Sequence, residues 1–189
     1  MNYLNKGNDG FASLRNSKFV DKSLLIAEVN SAMMTENRFL CVTRARRFGK
    51  SVAIKMLNAY YDKSCDSRNL FQGLAISKDE DFEKHLNRYP VLYLDMTDFV
   101  TKYGNDEQLV EHIKRDICEE LLELYEGVVM KPNDDLMDLL VSIVNQTGEK
   151  FVCLIDEWDA LCREGQEKQM DEYVNLLRRL FKGSMSEYV

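Results

Sequence analysis

Gly49-Lys50-Ser51 lies between an apolar run, Arg38-Phe39-Leu40-Cys41-Val42-Thr43, and a stretch carrying Val52, Ile54, Met56, Leu57 and Tyr60 at mostly helical spacing. A Gly-Lys-Ser can cradle phosphate only where a loop leaves a buried strand and opens a helix, so that backbone N–H groups and the helix N-terminus face the anion. The apolar run has strand character and the stretch after Ser51 reads as a helix to about Tyr61, so the sequence supplies strand, loop and helix in that order. The usual loop, G-x-x-x-x-G-K-[ST], would place its first glycine at position 44, which is Arg44. A shuffle of this composition produces Gly-Lys-Ser/Thr roughly once in twenty chains, so the tripeptide needs its context. The second glycine and the lysine make the closest approach to phosphate. Arg44, Arg46 and Arg47 add a cationic mouth beside them.

A second motif closes the run Phe151-Val152-Cys153-Leu154-Ile155, which ends in Asp156-Glu157-Trp158-Asp159. Two adjacent acids at the end of an apolar strand suit a magnesium nucleotide site, one supporting the hydrated metal and the other polarising the attacking water. Asp156 could equally serve as a helix N-cap. A further buried strand reads from Pro90 to Asp95, and Asp95 either sits near the metal or caps a helix or turn.

The remaining chain reads as helices: one from Leu24, a short charged one from Asp79 to Asn87, then Asp106–Tyr125 and Asp134–Asn145 separated by Gly127 and Pro132, and a last one from Gln169 to Phe181. Residues 1–17 read as a loop or short cap. Strands alternating with helices imply an α/β layered domain with a mainly parallel sheet. A chain of 189 residues is one domain by length, with enough residues for a real core.

The net charge of −7 argues against a global field that attracts nucleic acid, and the Arg44–Arg47 patch, which abuts Gly49-Lys50-Ser51, reads as a site for nucleotide phosphate rather than for DNA. Direct nucleic acid binding is left open. Arg178-Arg179 reads as a solvated helix face, and His85 and His112 as solvent-facing residues of charged helices. Apolar runs are far short of a membrane span and the N-terminus carries no signal-peptide core. Cys41, Cys118 and Cys153 lie in apolar segments and read as reduced core residues, which favours a cytoplasmic protein with no membrane partner.

Phe19-Val20-Asp21-Lys22-Ser23, Thr43-Arg44-Ala45-Arg46-Arg47-Phe48-Gly49-Lys50-Ser51 and Leu154-Ile155-Asp156-Glu157-Trp158-Asp159 together resemble the predicted AAA-ATPase-like family of prokaryotes. Its members show, roughly, YVDKT, TRPRRFGKT and LIDEYD at these places. They carry arginine where the first loop glycine would be, which accounts for Arg44. Ala45 for proline and Trp158 for tyrosine are mild departures. The resemblance runs from about Gly7 to the C-terminus.

The resemblance implies a P-loop NTPase fold, three-layer α/β/α with a mainly parallel sheet, binding ATP and Mg²⁺. The nucleotide-binding stretch would be Arg46, Arg47, Phe48, Gly49, Lys50, Ser51 and Val52. Lys50 would reach the β- and γ-phosphates, Ser51 would ligate Mg²⁺, Asp156 would support the metal through water, and Glu157 would be the general base. Arg46 and Arg47 either touch nucleotide or pair with acids, and Asp21 and Lys22 have no role derivable from sequence.

Such chains often continue into a C-terminal nuclease-like domain, which would lie beyond these residues. A further strand usually follows the helix after the acidic strand. Only Gly183-Ser184-Met185-Ser186-Glu187-Tyr188-Val189 follows here, so the expectation is an N-terminal portion, incomplete at its C-terminus, that self-associates through exposed strand edges as a homo-oligomer. The function expected is an ATP-binding module with Mg-dependent hydrolysis in the complete protein. The alternatives are a noncatalytic nucleotide-gated interaction module and, from the D-E-x-D pattern, a helicase-like motor fragment.

Overall fold

The computed structural model describes residues 2–33, 35–43, 48–104, 106–163 and 167–181. The chain gathers into two compact units, residues 5–91 and residues 1–4 with 92–189. It is an α/β protein whose described strands form one small parallel sheet.

In residues 5–91 the elements are α1 (Asp9–Arg15), α2 (Leu24–Ala32), α3 (Lys50–Tyr61), α4 (Arg68–Phe71), a 3-10 turn (Ala75–Lys78) and α5 (Phe82–His85). The opening stretch, expected as a loop or cap, thus contains a helix. Helix α3 is amphipathic along its length rather than only around it. Lys50 to Lys55 are exposed or half-buried, whereas Met56 to Tyr61 are all buried. Tyr60 anchors that buried end, with its ring 5.5 Å from Phe71 and 5.7 Å from Phe82, and Phe71 stacks on Phe11 of α1 at 5.1 Å. Each such aromatic pair adds roughly 0.5–1.5 kcal/mol beyond the area it buries. The Tyr60 hydroxyl donates to the Phe82 carbonyl at 2.6 Å, so its polar tip is satisfied.

Asp62 ends α3 and is fully buried, with its carboxylate accepting the Gly7 and Ser64 N–H groups at 2.6 and 2.8 Å. The helix expected over Asp79–Asn87 shortens to α5. Asn87, at φ +54°, leaves helical geometry and spends its amide on the Ala59 and Asp62 carbonyls. His85 is buried rather than solvent-facing, its Nδ1 2.6 Å from the Tyr89 hydroxyl four residues on. Burial, then nearby Lys84, lowers its pKa below the usual histidine value.

The second unit takes β1 (Val91–Asp95) from Leu92 onward, then α6 (Met96–Tyr103), α7 (Leu109–Leu124), α8 (Leu136–Thr147), β2 (Val152–Asp156), α9 (Ala160–Arg163) and α10 (Glu167–Phe181). Strands β1 and β2 pair in parallel, which requires the long helical crossover between them. Asp95 caps α6, accepting the Thr97 N–H at 2.9 Å. Asp135 and Asp138 form a capping box at the start of α8, and Arg179 pairs with Asp135. His112 is half-buried, its ring stacked on Tyr103 with centroids 4.7 Å apart.

The N-terminal residues are stitched into this unit. Glu120 on α7 accepts the Tyr3 and Leu4 N–H groups at 2.7 and 2.9 Å, and the Tyr93 N–H donates to the Tyr3 carbonyl at 2.8 Å. Beside them the buried Asp116 carboxylate receives Lys102 and the Tyr103 hydroxyl, both at 2.6 Å, with Arg115 at 3.1 Å and the Tyr3 hydroxyl at 3.2 Å.

One expected strand does not form. Arg38–Thr43 lies outside any described strand, with Leu40 51% and Val42 48% exposed. An apolar, β-branched run makes a strand only where its backbone finds a partner edge. Phe151–Ile155 instead pairs, as β2, with β1. Cys41, expected in the core, is exposed with this run, while Cys118 is buried and Cys153 half-buried.

Burial alone would raise the Asp116 pKa, but hydrogen bonds from Lys102, Tyr103 and Arg115 outweigh it and hold the carboxyl at about 2 against an ordinary 3.8. A depressed folded-state pKa contributes stability that is present above the ordinary value and lost as pH falls from 3.8 towards 2. Asp116→Asn should therefore cost on the order of 2 kcal/mol in urea unfolding at about pH 7, and the gap to the parent should close near pH 2.

Candidate functional site

Gly49 is the N-cap of α3 and lies in the left-handed region, at φ +79° and ψ 29°. A β-carbon makes that conformation costly, so glycine at this point is a backbone requirement of the turn. It allows the chain to swing from Phe48 into Lys50, the first helical residue. The far half of α3 is buried, and Lys50, Ser51 and Val52 form the first turn at its less buried N-terminal end. Ala53 N–H bonds to the Gly49 carbonyl at 3.0 Å and closes the first turn.

Lys22 joins this group from 27 residues upstream. Its Nζ donates to the Phe48 carbonyl at 2.8 Å, and a β-carbon built on Gly49 would lie 3.4 Å from that same nitrogen. The residues on either side of Lys22 fix its place. Asp21 accepts the Ser23 and Ala75 N–H groups, both at 2.8 Å, and the buried Ser23 hydroxyl accepts the Ile76 N–H at 3.1 Å. Burial would raise the Asp21 pKa, but hydrogen bonds from Ser23 and Ala75 lower it below the ordinary value. The Asp21-Lys22-Ser23 motif is thus a brace from the 3-10 turn to the glycine loop. Sequence reasoning missed it because the contact spans distant residues.

The acidic group stands on the other unit. Asp156 is the last residue of β2, 6% exposed, and accepts the Glu157 N–H on Oδ1 at 3.0 Å. Glu157 follows at φ +49°, one of the few non-glycine residues here in the left-handed region. Such a conformation costs on the order of 1–3 kcal/mol, and strain of this kind clusters at functional sites. The Glu157 carboxylate pairs with Arg163, whose guanidinium also reaches Asp159 at 3.0 Å. Burial, then the carboxylates of Asp156 and Asp95, push the Tyr93 phenol on β1 upward. Trp158 is 51% exposed.

The structure therefore groups Phe48, Gly49, Lys50, Ser51 and Val52 in one unit, and Asp156 with Glu157 in the other. Arg46 and Arg47 lie outside the described residues, as does the stretch after Phe181. Among the described residues no three His, Cys, Asp or Glu side chains converge on a common point. A magnesium nucleotide site needs no such cage, because water and phosphate oxygens fill most of the coordination sphere.

The family model of the predicted AAA-ATPases, AAA-ATPase-like, matches residues 6–187. The chain belongs to this family. No curated protein and no solved structure matches it. Membership in the AAA-ATPase-like family supports nucleotide binding in general. No helix among the described residues of this AAA-ATPase-like chain is long and apolar enough to cross a membrane.

Gly49→Ala tests the loop geometry by itself. The added β-carbon is strained at a φ of +79°, so the variant should lose about 1–2 kcal/mol in thermal or urea unfolding. Wild-type stability in Gly49→Ala would mean that the turn does not need its left-handed glycine.

Proposed function

We propose that this chain is a Mg·ATP-binding module of the P-loop NTPase class, with a three-layer α/β/α arrangement, in which ATP hydrolysis uses the acidic strand end. The observation that carries the reading is the left-handed Gly49 at the N-cap of α3, opening the helix N-terminus to an anion with Lys50 and Ser51 as its first residues. Helix termini of this kind bind phosphate through free N–H groups and the helix dipole. Lys50 supplies a point charge to the β- and γ-phosphates. Gly49, Phe48 and Val52 offer backbone within reach, and Arg46 and Arg47 add positive charge along the loop.

Ser51 and Asp156 offer a hydroxyl and a carboxylate, the hard oxygen donors that Mg²⁺ takes directly or through water. Mg²⁺, when bound, would neutralise charge on the phosphate oxygens. Glu157 is the base that orients the attacking water and receives its proton, with Asp156 fixing the Glu157 backbone by their hydrogen bond.

A second reading, a noncatalytic nucleotide-gated interaction module, draws support from the ion pair that occupies the Glu157 carboxylate with Arg163. Measuring binding and turnover separately discriminates between the two.

Lys50→Ala should weaken Mg·ATP binding by ten- to a hundredfold, the loss of about 1.5–3 kcal/mol expected for a charge-assisted phosphate contact. Unchanged affinity with an intact circular dichroism spectrum would remove the nucleotide reading. Glu157→Gln should bind Mg·ATP within about twofold of the parent while losing hydrolysis, because the swap keeps shape and removes the base. Phosphate release at the parent rate from Glu157→Gln would exclude Glu157 as the base. No detectable release from the parent would favour the noncatalytic module.

A further inference from the structure

Lys22 is an exposed lysine placed with unusual care. Holding a lysine at one carbonyl costs rotamer freedom, and a lysine in solvent ordinarily keeps that freedom. Here the restraint is prepared by its neighbours, since Asp21 and Ser23 clamp the backbone on both sides to the N–H groups of Ala75 and Ile76. The ammonium then lands on the Phe48 carbonyl, over the face that Gly49 leaves bare of a side chain. An ammonium has three donors, and the Phe48 carbonyl takes one of them. The other two N–H groups stand beside the turn that leads into α3.

We propose that Lys22 is a second cationic ligand of the bound nucleotide's phosphates, acting beside Lys50. The assignment rests on the nucleotide reading above and adds to it a residue from outside the Gly-Lys-Ser loop. Any phosphate that approaches the helix N-terminus across Gly49 passes within reach of Lys22. The Phe48 carbonyl holds the ammonium in place without neutralising it, because a carbonyl is a dipole and carries no net charge. The site therefore brings together two cationic residues, Lys22 packed against Gly49 and Lys50 next to that glycine in the chain. That arrangement suits a polyphosphate better than a single phosphate, and it makes affinity depend on charge as well as on loop shape.

The test is equilibrium binding of Mg·ATP to the full chain and to Lys22→Ala, Lys22→Arg and Lys22→Gln, with Lys50→Ala alongside, at low and high salt. Lys22→Ala should lose about tenfold in affinity at low salt, and the loss should shrink at high salt as the charge is screened. Lys22→Arg should stay within about threefold of the parent, because it keeps the charge and a donor for Phe48. Lys22→Gln, able to donate to the Phe48 carbonyl but uncharged, should fall with Ala. Affinity restored by Gln, or lost by Ala to the same extent at both salts, would reduce Lys22 to a loop support and overturn the proposal. If Lys22→Ala binds like the parent while Lys50→Ala does not, the second ligand is excluded and the nucleotide reading stands. Unchanged binding in both removes the two together. Thermal unfolding of each variant checks the fold, and Lys22→Arg decides the matter if Ala lowers stability.

Discussion

The unequal burial of α3 is the constraint on which the candidate loop depends. Tyr60, Tyr61 and Met56 sink one end of the helix among Phe11, Phe71 and Phe82, and Asp62 ties off that end with bonds to Gly7 and Ser64. A helix fixed at its C-terminal half has a rigid N-terminus even where that terminus touches little. Phosphate recognition by backbone N–H groups needs this rigidity, since each group must already point the right way when the anion arrives. The candidate side chains, half-buried Lys50 and exposed Ser51, are near solvent. Those that place them are aromatic and several turns away.

The acidic strand end rests on a different device. Strand β2 buries Asp156, and the chain then takes a left-handed step at Glu157 that only a defined surrounding can hold. The Ala160 N–H bonds to the Glu157 carbonyl at 2.8 Å, and Arg163 returns from α9 to the Glu157 side chain. Backbone turn and side-chain ion pair thus fix the same residue from two directions. An unstrained residue would need neither.

Much of this was legible in the residues. The helix after Gly49, both described strands and the long helices α7, α8 and α10 follow from apolar patterning and from breakers such as Gly127 and Pro132. What was hidden depends on partners that no local pattern states. Arg38–Thr43 has the composition of a strand, yet pairing is a tertiary property and that run is exposed. His85 lies in a charged helical stretch and reads as a surface residue, but Tyr89 stacks on it from four residues on. Helix α6 was concealed because its cap, Asp95, is also the end of β1. The role of Lys22 required two motifs to meet across 26 residues, and the strain at Glu157 is a matter of φ, which composition does not carry.

The division of the chain has a consequence for the order in which its contacts can be made during synthesis. Residues 5–91 are contiguous, and the bonds that close them, from Gly7 on Asp62 to the Asn5 N–H on the Val91 carbonyl, are available once Val91 has emerged from the ribosome. Tyr3 and Leu4 are translated before that unit, yet their partners are Tyr93, Asp116 and Glu120. These two residues must therefore wait for α7, while the glycine loop and its brace are assembled from sequence already in hand. The glycine loop can be set early, and the contacts of Tyr3 and Leu4 form late.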